Sequence, residues 1–219
     1  MSGIMLNVVG GTFSIPIPVP AIGSALGGGF FAGQISTAGN GVADYNLVIS
    51  PLATGQSSTL AWKNALTTTP GADSDIDGIQ NTADMVANGN ATVYPAAHFC
   101  NNLSTGGQTD WYMPAKNELE VCYYNLKPTT TNNTTSSGIN PNAVPARASN
   151  YTAGTPAQTY ATDFQSGGAE AFLANYYWSS TEKDTTAAWV DYFLYGGQQE
   201  GTKTIDFLVR VRAIRRVAV

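Results

Sequence analysis

"GGQTDWYMPAKNELEVCYY", residues 106–124, sets three acids, a tryptophan, three tyrosines and a cysteine side by side. It reads either as a catalytic strip or as framework whose polar groups hold a turn. Pro114 suits the first turn of a helix running to about Leu126, and Lys127-Pro128 ends it. Leu119, Cys122, Tyr123 and Leu126 recur at helical spacing and predict one buried stripe, which makes Cys122 a small core residue. Asp110 follows "GGQT", where a side chain commonly bonds turn amides. Glu118 and Glu120 fall in the N-terminal half of the helix, where its dipole favours negative charge. Framework is the better reading of the stretch.

Outward from it, the chain alternates short helical and extended pieces. "YNLVISP" (45–51) predicts a strand stopped by Pro51, while "NTADMVAN" and "AAHFCNNL" predict helical turns. The loop "TTTNNTTSSGINPNAVP" (129–145) is too polar to build a core, and a second helical piece is expected around Ala157 to Phe164. "NYYWSST", "AAWVDYFLY" and "IDFLVRVRAIRRV" then read as strands, separated by "EKDTT" and "GGQQEGTK" as turns. This order of elements predicts an α+β class. Residues 1–35 stand apart, apolar and without a charged side chain. In "FSIPIPVPAIG" prolines alternate with branched apolar residues, which excludes a central strand. They are expected to form an attachment or oligomerisation arm, with residues 36–219 as the domain.

Composition narrows the function. Charged residues are 11% against 43% hydrophobic, so the surface must be largely neutral and polar. A net charge of −5 argues against nucleic acid as the main partner. No stretch is apolar enough to insert in a membrane. No secretory signal is recognisable at the start, and two cysteines, Cys100 and Cys122, make no disulfide scaffold. Four arginines crowd into "RVRAIRR" (210–216), alternating with Val211 and Ala213, which predicts a solvated or salt-bridged strand face. The single histidine, His98, lies two positions from Cys100 and so points away from it on a helix.

Two sets of candidate site residues remain. Asp73, Asp75, Asp77 and Gly78 reproduce the start of a calcium loop, with Ile79 at the carbonyl position and Asp84 where a longer glutamate is usual. Upstream "TTTPGA" cannot be an entering helix. The preferred reading is a solvated acidic loop and no cofactor, with a solitary calcium loop as the alternative. The second set is Tyr192, Tyr195, Gln198, Gln199, Asp206 and Phe207, in and beside a predicted hairpin. Tyrosine with short polar groups is the chemistry of adaptable binding surfaces.

Ala96, Cys100 and Leu103, then Gly106, Gly107, Asp110, Trp111, Pro114, Glu118 and Leu119, form a run of spaced motifs. Trp178, Ser179 and Ser180, and a closing Val211, Arg212 and Arg215, complete it. Together they resemble the C-terminal domain of the Lcl collagen-like adhesin, over about residues 30–219. That resemblance implies a C-type lectin-like fold, with two main helices and a twisted antiparallel sheet under a variable ligand-facing surface. With its short arm and no collagenous stalk, the chain looks more like the bacteriophage members of the family. The implied role is a non-enzymatic virion-surface or tail-fibre protein that binds a host glycan or protein. Residues 1–35 would hold it to other virion proteins, as a homotrimer. A capsid or tail decoration protein is the alternative, and an enzyme on the same fold a more distant one. The chain lacks the E-P-N or Q-P-D and W-N-D triplets of calcium-dependent sugar binding, and its cysteines do not match those of formylglycine-generating enzymes. Neither activity carries over.

Overall fold

The computed structural model of the chain describes residues 18–219. In chain order these form strands β1 (Ala25–Leu26), β2 (Gly29–Ile35) and β3 (Tyr45–Ile49), then helices α1 (Leu52–Gly55), α2 (Gly78–Asn88), α3 (Pro95–Asn101) and α4 (Lys116–Leu126). Strands β4 (Ala143–Val144), β5 (Tyr176–Glu182), β6 (Ala187–Tyr192), β7 (Gly197–Thr202), β8 (Val209–Arg210) and β9 (Ile214–Ala218) follow. The α+β class is as the sequence predicts. No helix among the described residues is long and apolar enough to cross a membrane.

Two sheets result. One runs β1-β2-β3-β9 with β4 also on β2, and the other β7-β6-β5-β8. Alternation along the strands feeds two cores. Leu47, Ile49, Tyr177, Phe193 and Ile214 join the α4 stripe of Leu119, Cys122, Tyr123 and Leu126. Val48, Trp178, Ala188, Val190 and Val211 pack instead with Trp62, Met85 of α2, and Ala96, Ala97 and Cys100 of α3. Trp62 and Trp178 are fully buried, and each indole still finds a carbonyl, at Ser179 (2.9 Å) and Leu60 (2.8 Å) respectively. Rings buried to this degree cost about 3–5 kcal/mol to truncate to alanine.

The opening stretch is framework. Gly106 and Gly107 both have positive φ, and a Cβ on Gly106 would collide with the Gly28 carbonyl, so the turn demands glycine there. The chain then crosses the sheet beside Ile214 and enters α4. Glu118 caps that helix by accepting the Ala115 amide at 2.8 Å. Lys127, extended before Pro128, ends it.

Three expectations are corrected. The division at residues 35/36 fails, because β2 lies inside the first sheet, with Phe31, Ala32 and Ile35 fully or almost fully buried. Residues 1–17 of the expected arm lie outside the described residues. "GGQQEGTK" is largely strand β7, paired with β6 over its whole length, and the turn is Phe193–Gly196. Its glutamines and glutamate carry no β propensity, but cross-strand pairing overrides propensity. Around Ala157–Phe164 only a 3₁₀ turn, Thr162–Phe164, forms.

Candidate functional site

The groups best suited to acid–base or nucleophilic chemistry are bound up in the scaffold. Glu118, fully buried, accepts from Tyr112 Oη at 2.6 Å and Arg216 Nε at 2.8 Å, besides the amides of Ala115 and Gly78. Glu120, equally buried, holds Tyr151 Oη and Asn140 Nδ2 at 2.6 Å each and pairs with Arg147. Asp110 does not bond turn amides as predicted. Its carboxylate receives both Arg215 Nε and Nη2 at 2.7 Å, which holds its pKa below the usual carboxylate range. The arginine-rich segment is not one strand as predicted, since Arg210 ends β8 in one sheet while Arg215 and Arg216 lie in β9 of the other. Arg212, Arg215 and Arg216 are salt-bridged, and Arg212 is almost wholly buried on Glu170. Cys100 and Cys122 are free thiols, both pushed up by burial. His98, half-buried, has Nε2 at 2.7 Å from the Gly89 carbonyl.

The residues of the alternative calcium loop are not brought together. Helix α2 begins at Gly78, so Ile79 and Asp84 are helical, and Asp77 caps that helix by accepting the Gln80 amide at 3.2 Å. Asp84 accepts the Gln80 side chain at 3.1 Å, Asp75 faces Lys116 at 3.7 Å, and Asp73 is exposed. Among the described residues no group of three or more His, Cys, Asp or Glu is placed to hold a metal ion.

The second predicted set is partly brought together. Tyr192 stacks on Tyr176 across the β5–β6 pair at 4.2 Å and 13°, and Tyr195 packs edge-on to it at 4.7 Å. Gln199 Nε2 donates to Tyr195 Oη at 3.1 Å. All four are half-buried and form one ledge at an end of the second sheet. Burial holds the Tyr176 phenol above its usual pKa, with Tyr195 and Tyr192 adding to the shift. Gln198 does not join it. It opposes Asp191 whereas Gln199 opposes Val190, which puts the two glutamines on opposite faces of the strand. Asp206 and Phe207 stand exposed on the following loop, with no ring contact to the ledge. Tyr176 was missed. Only the strand register places it under Tyr192, and register between distant segments leaves no local signal.

Gln198 instead borders a polar groove of 360 Å³, together with Asp75, Lys116, Asn117, Ser137 and Asn150. A larger cleft of 690 Å³ lies between Ala21–Ile22, Tyr124 and residues 154–161. The family model described as the Lcl C-terminal domain matches residues 52–215. The chain belongs to the Lcl C-terminal domain family. A comparison with curated proteins finds no match. The Lcl C-terminal domain match begins at α1 and ends in β9, so it includes the tyrosine ledge and the groove. Strands β1–β3 precede it, although they supply most of the first sheet.

Proposed function

We propose that the chain is a recognition module of a bacteriophage virion, a C-type lectin-like domain that binds a host-surface glycan or protein without catalysing a reaction. The observation that carries this reading is the ledge of Tyr176, Tyr192, Tyr195 and Gln199, a contiguous aromatic and amide surface with accessible edges. Aromatic rings held rigid by their neighbours give contact area at low entropic cost. The engagement of Glu118, Glu120, Glu170 and Glu182 with buried partners supports the same reading, because these carboxylates are committed to the scaffold. The low charge of the chain suits a displayed surface. Attachment to other virion proteins, and assembly as a trimer, falls in this reading to the N-terminal segment.

Host-cell and glycan-array binding of the whole chain tests it against Tyr195→Ala. Tyr195 is half-exposed, so the variant should keep its melting temperature within a few degrees. Binding should weaken by about 2 kcal/mol, roughly 30-fold, as expected for an aromatic anchor. Undiminished binding by Tyr195→Ala and Tyr192→Ala would remove the ledge as the recognition surface.

A further inference from the structure

The groove on the Gln198 face has a property the ledge lacks: its polar groups converge with their hydrogen-bonding capacity unspent. Lys116 Nζ stands 3.7 Å from Asp75, beyond hydrogen-bond range, and 4.1 Å from the centre of the Trp189 ring. Among the described residues that ammonium has no closer polar partner. Among the same residues the Gln198 side-chain amide finds no hydrogen-bond partner, while its backbone amide donates to Ser137 Oγ at 3.0 Å. Ser137 accepts that bond and keeps its own proton to give. Asn150 donates through Nδ2 to Thr135 and keeps its carbonyl oxygen. Beside these groups Ile139, 54% exposed, and Gly138 supply an apolar patch to the same groove.

We propose that this groove is a binding site for a neutral polyhydroxylated ligand, one or two sugar rings in size. Its volume of 360 Å³ lies at the small end of ligand pockets. Donors (Lys116, Gln198, Ser137) and acceptors (Asp75, Asn150) face one space, which suits hydroxyls, since each both gives and accepts a hydrogen bond. The one cation is balanced by the one carboxylate beside it, so the lining has no net charge to attract an ion. Ile139 offers the apolar contact that a sugar's C–H face requires. The site stands apart from the tyrosine ledge, on the opposite face of β7, so either can fail alone.

Trp189 makes the test direct. Of the four tryptophans, Trp62, Trp111 and Trp178 are buried, and only Trp189 is half-exposed, against the Lys116 ammonium. The whole chain is titrated with methyl glucoside, methyl galactoside and N-acetylglucosamine, following tryptophan emission and saturation-transfer NMR of the sugar. At least one neutral sugar should bind saturably, at least tenfold more weakly to Gln198→Ala and to Lys116→Ala, and unchanged to Tyr195→Ala. Gln198→Ala removes a side chain with no internal bond, so its fold persists and its loss of binding is interpretable. No saturable signal from any neutral sugar would overturn the proposal. So would binding that survives both substitutions, or binding of glucuronate in place of the neutral sugars.

Discussion

Asp191 lies 2% exposed on β6, and among the described residues neither of its carboxylate oxygens has a side-chain hydrogen-bond partner. Burial raises its pKa well above the usual carboxylate value, and the charge of Glu120 raises it further. An acid raised on folding is protonated in the native state after the unfolded chain has already ionised. Its contribution to stability is therefore complete below the unfolded value near 3.8, and falls as pH rises from there toward the folded value. Through that window the loss approaches about 1.4 kcal/mol per pH unit. Asp191→Asn has no proton to take up. Its melting temperature should exceed that of the natural chain at pH 8 and converge with it at pH 4, and equal gains at both would refute this account. "AAWVDYF" does announce that Asp191 shares a face with Trp189 and Phe193, because period two is local. That the face is closed at this point by α4 and the Tyr151 loop was not legible, because those segments come from elsewhere in the chain.

Helix α4 was the most legible element. Its apolar stripe, its proline before the start and its Lys-Pro stop are all encoded within a few residues. Its acids were less so. A glutamate near a helix N-terminus reads as an exposed dipole partner, yet Glu118 bridges four donors from α2, α4, Tyr112 and Arg216 inside the fold. Glu118→Ala should lower stability by about 3–5 kcal/mol in urea unfolding, because it strips the Arg216 guanidinium of its hydrogen-bonded carboxylate and leaves Asp77, at 3.7 Å, as its nearest acid. A loss under 1 kcal/mol would mean that water replaces the carboxylate at no cost. Strand β7 shows the opposite limit. Glycine and glutamine give it the look of a turn, and it is a strand because β6 offers a complete ladder. For the same reason the candidate site was only half visible. Tyr192, Tyr195 and Gln199 met as a group, while Gln198 turned to the other face beside Lys116, 82 positions earlier in the chain.

At the scale of the molecule, the arginine-rich end serves as a fastener. Arg212 gives Nε and Nη2 to the Ser50 carbonyl, at 3.0 and 2.7 Å, and pairs with Glu170 at 2.7 Å. Burial draws its pKa down to about 10, against the opposing pull of Glu170, so it remains cationic at neutral pH. It ties the end of β3, the 170s loop and the approach to β9. Arg212→Ala should cost about 3–5 kcal/mol and lower the single unfolding transition as a whole. A calorimetric trace with a separate early step would show that the tie is merely local. The α+β class and the positions of β3, α2, α3, α4, β5 and β6 could be read in advance, but the strand order could not, since β3 pairs with a segment more than 160 residues later. That pairing has a consequence for biosynthesis. Residues 45–49 must wait, with an open sheet edge, until 214–218 have left the ribosome, so that edge is open to misassociation while residues 50–213 are being made. Its yield in a cell should depend on chaperone supply more than the stability of the finished domain suggests.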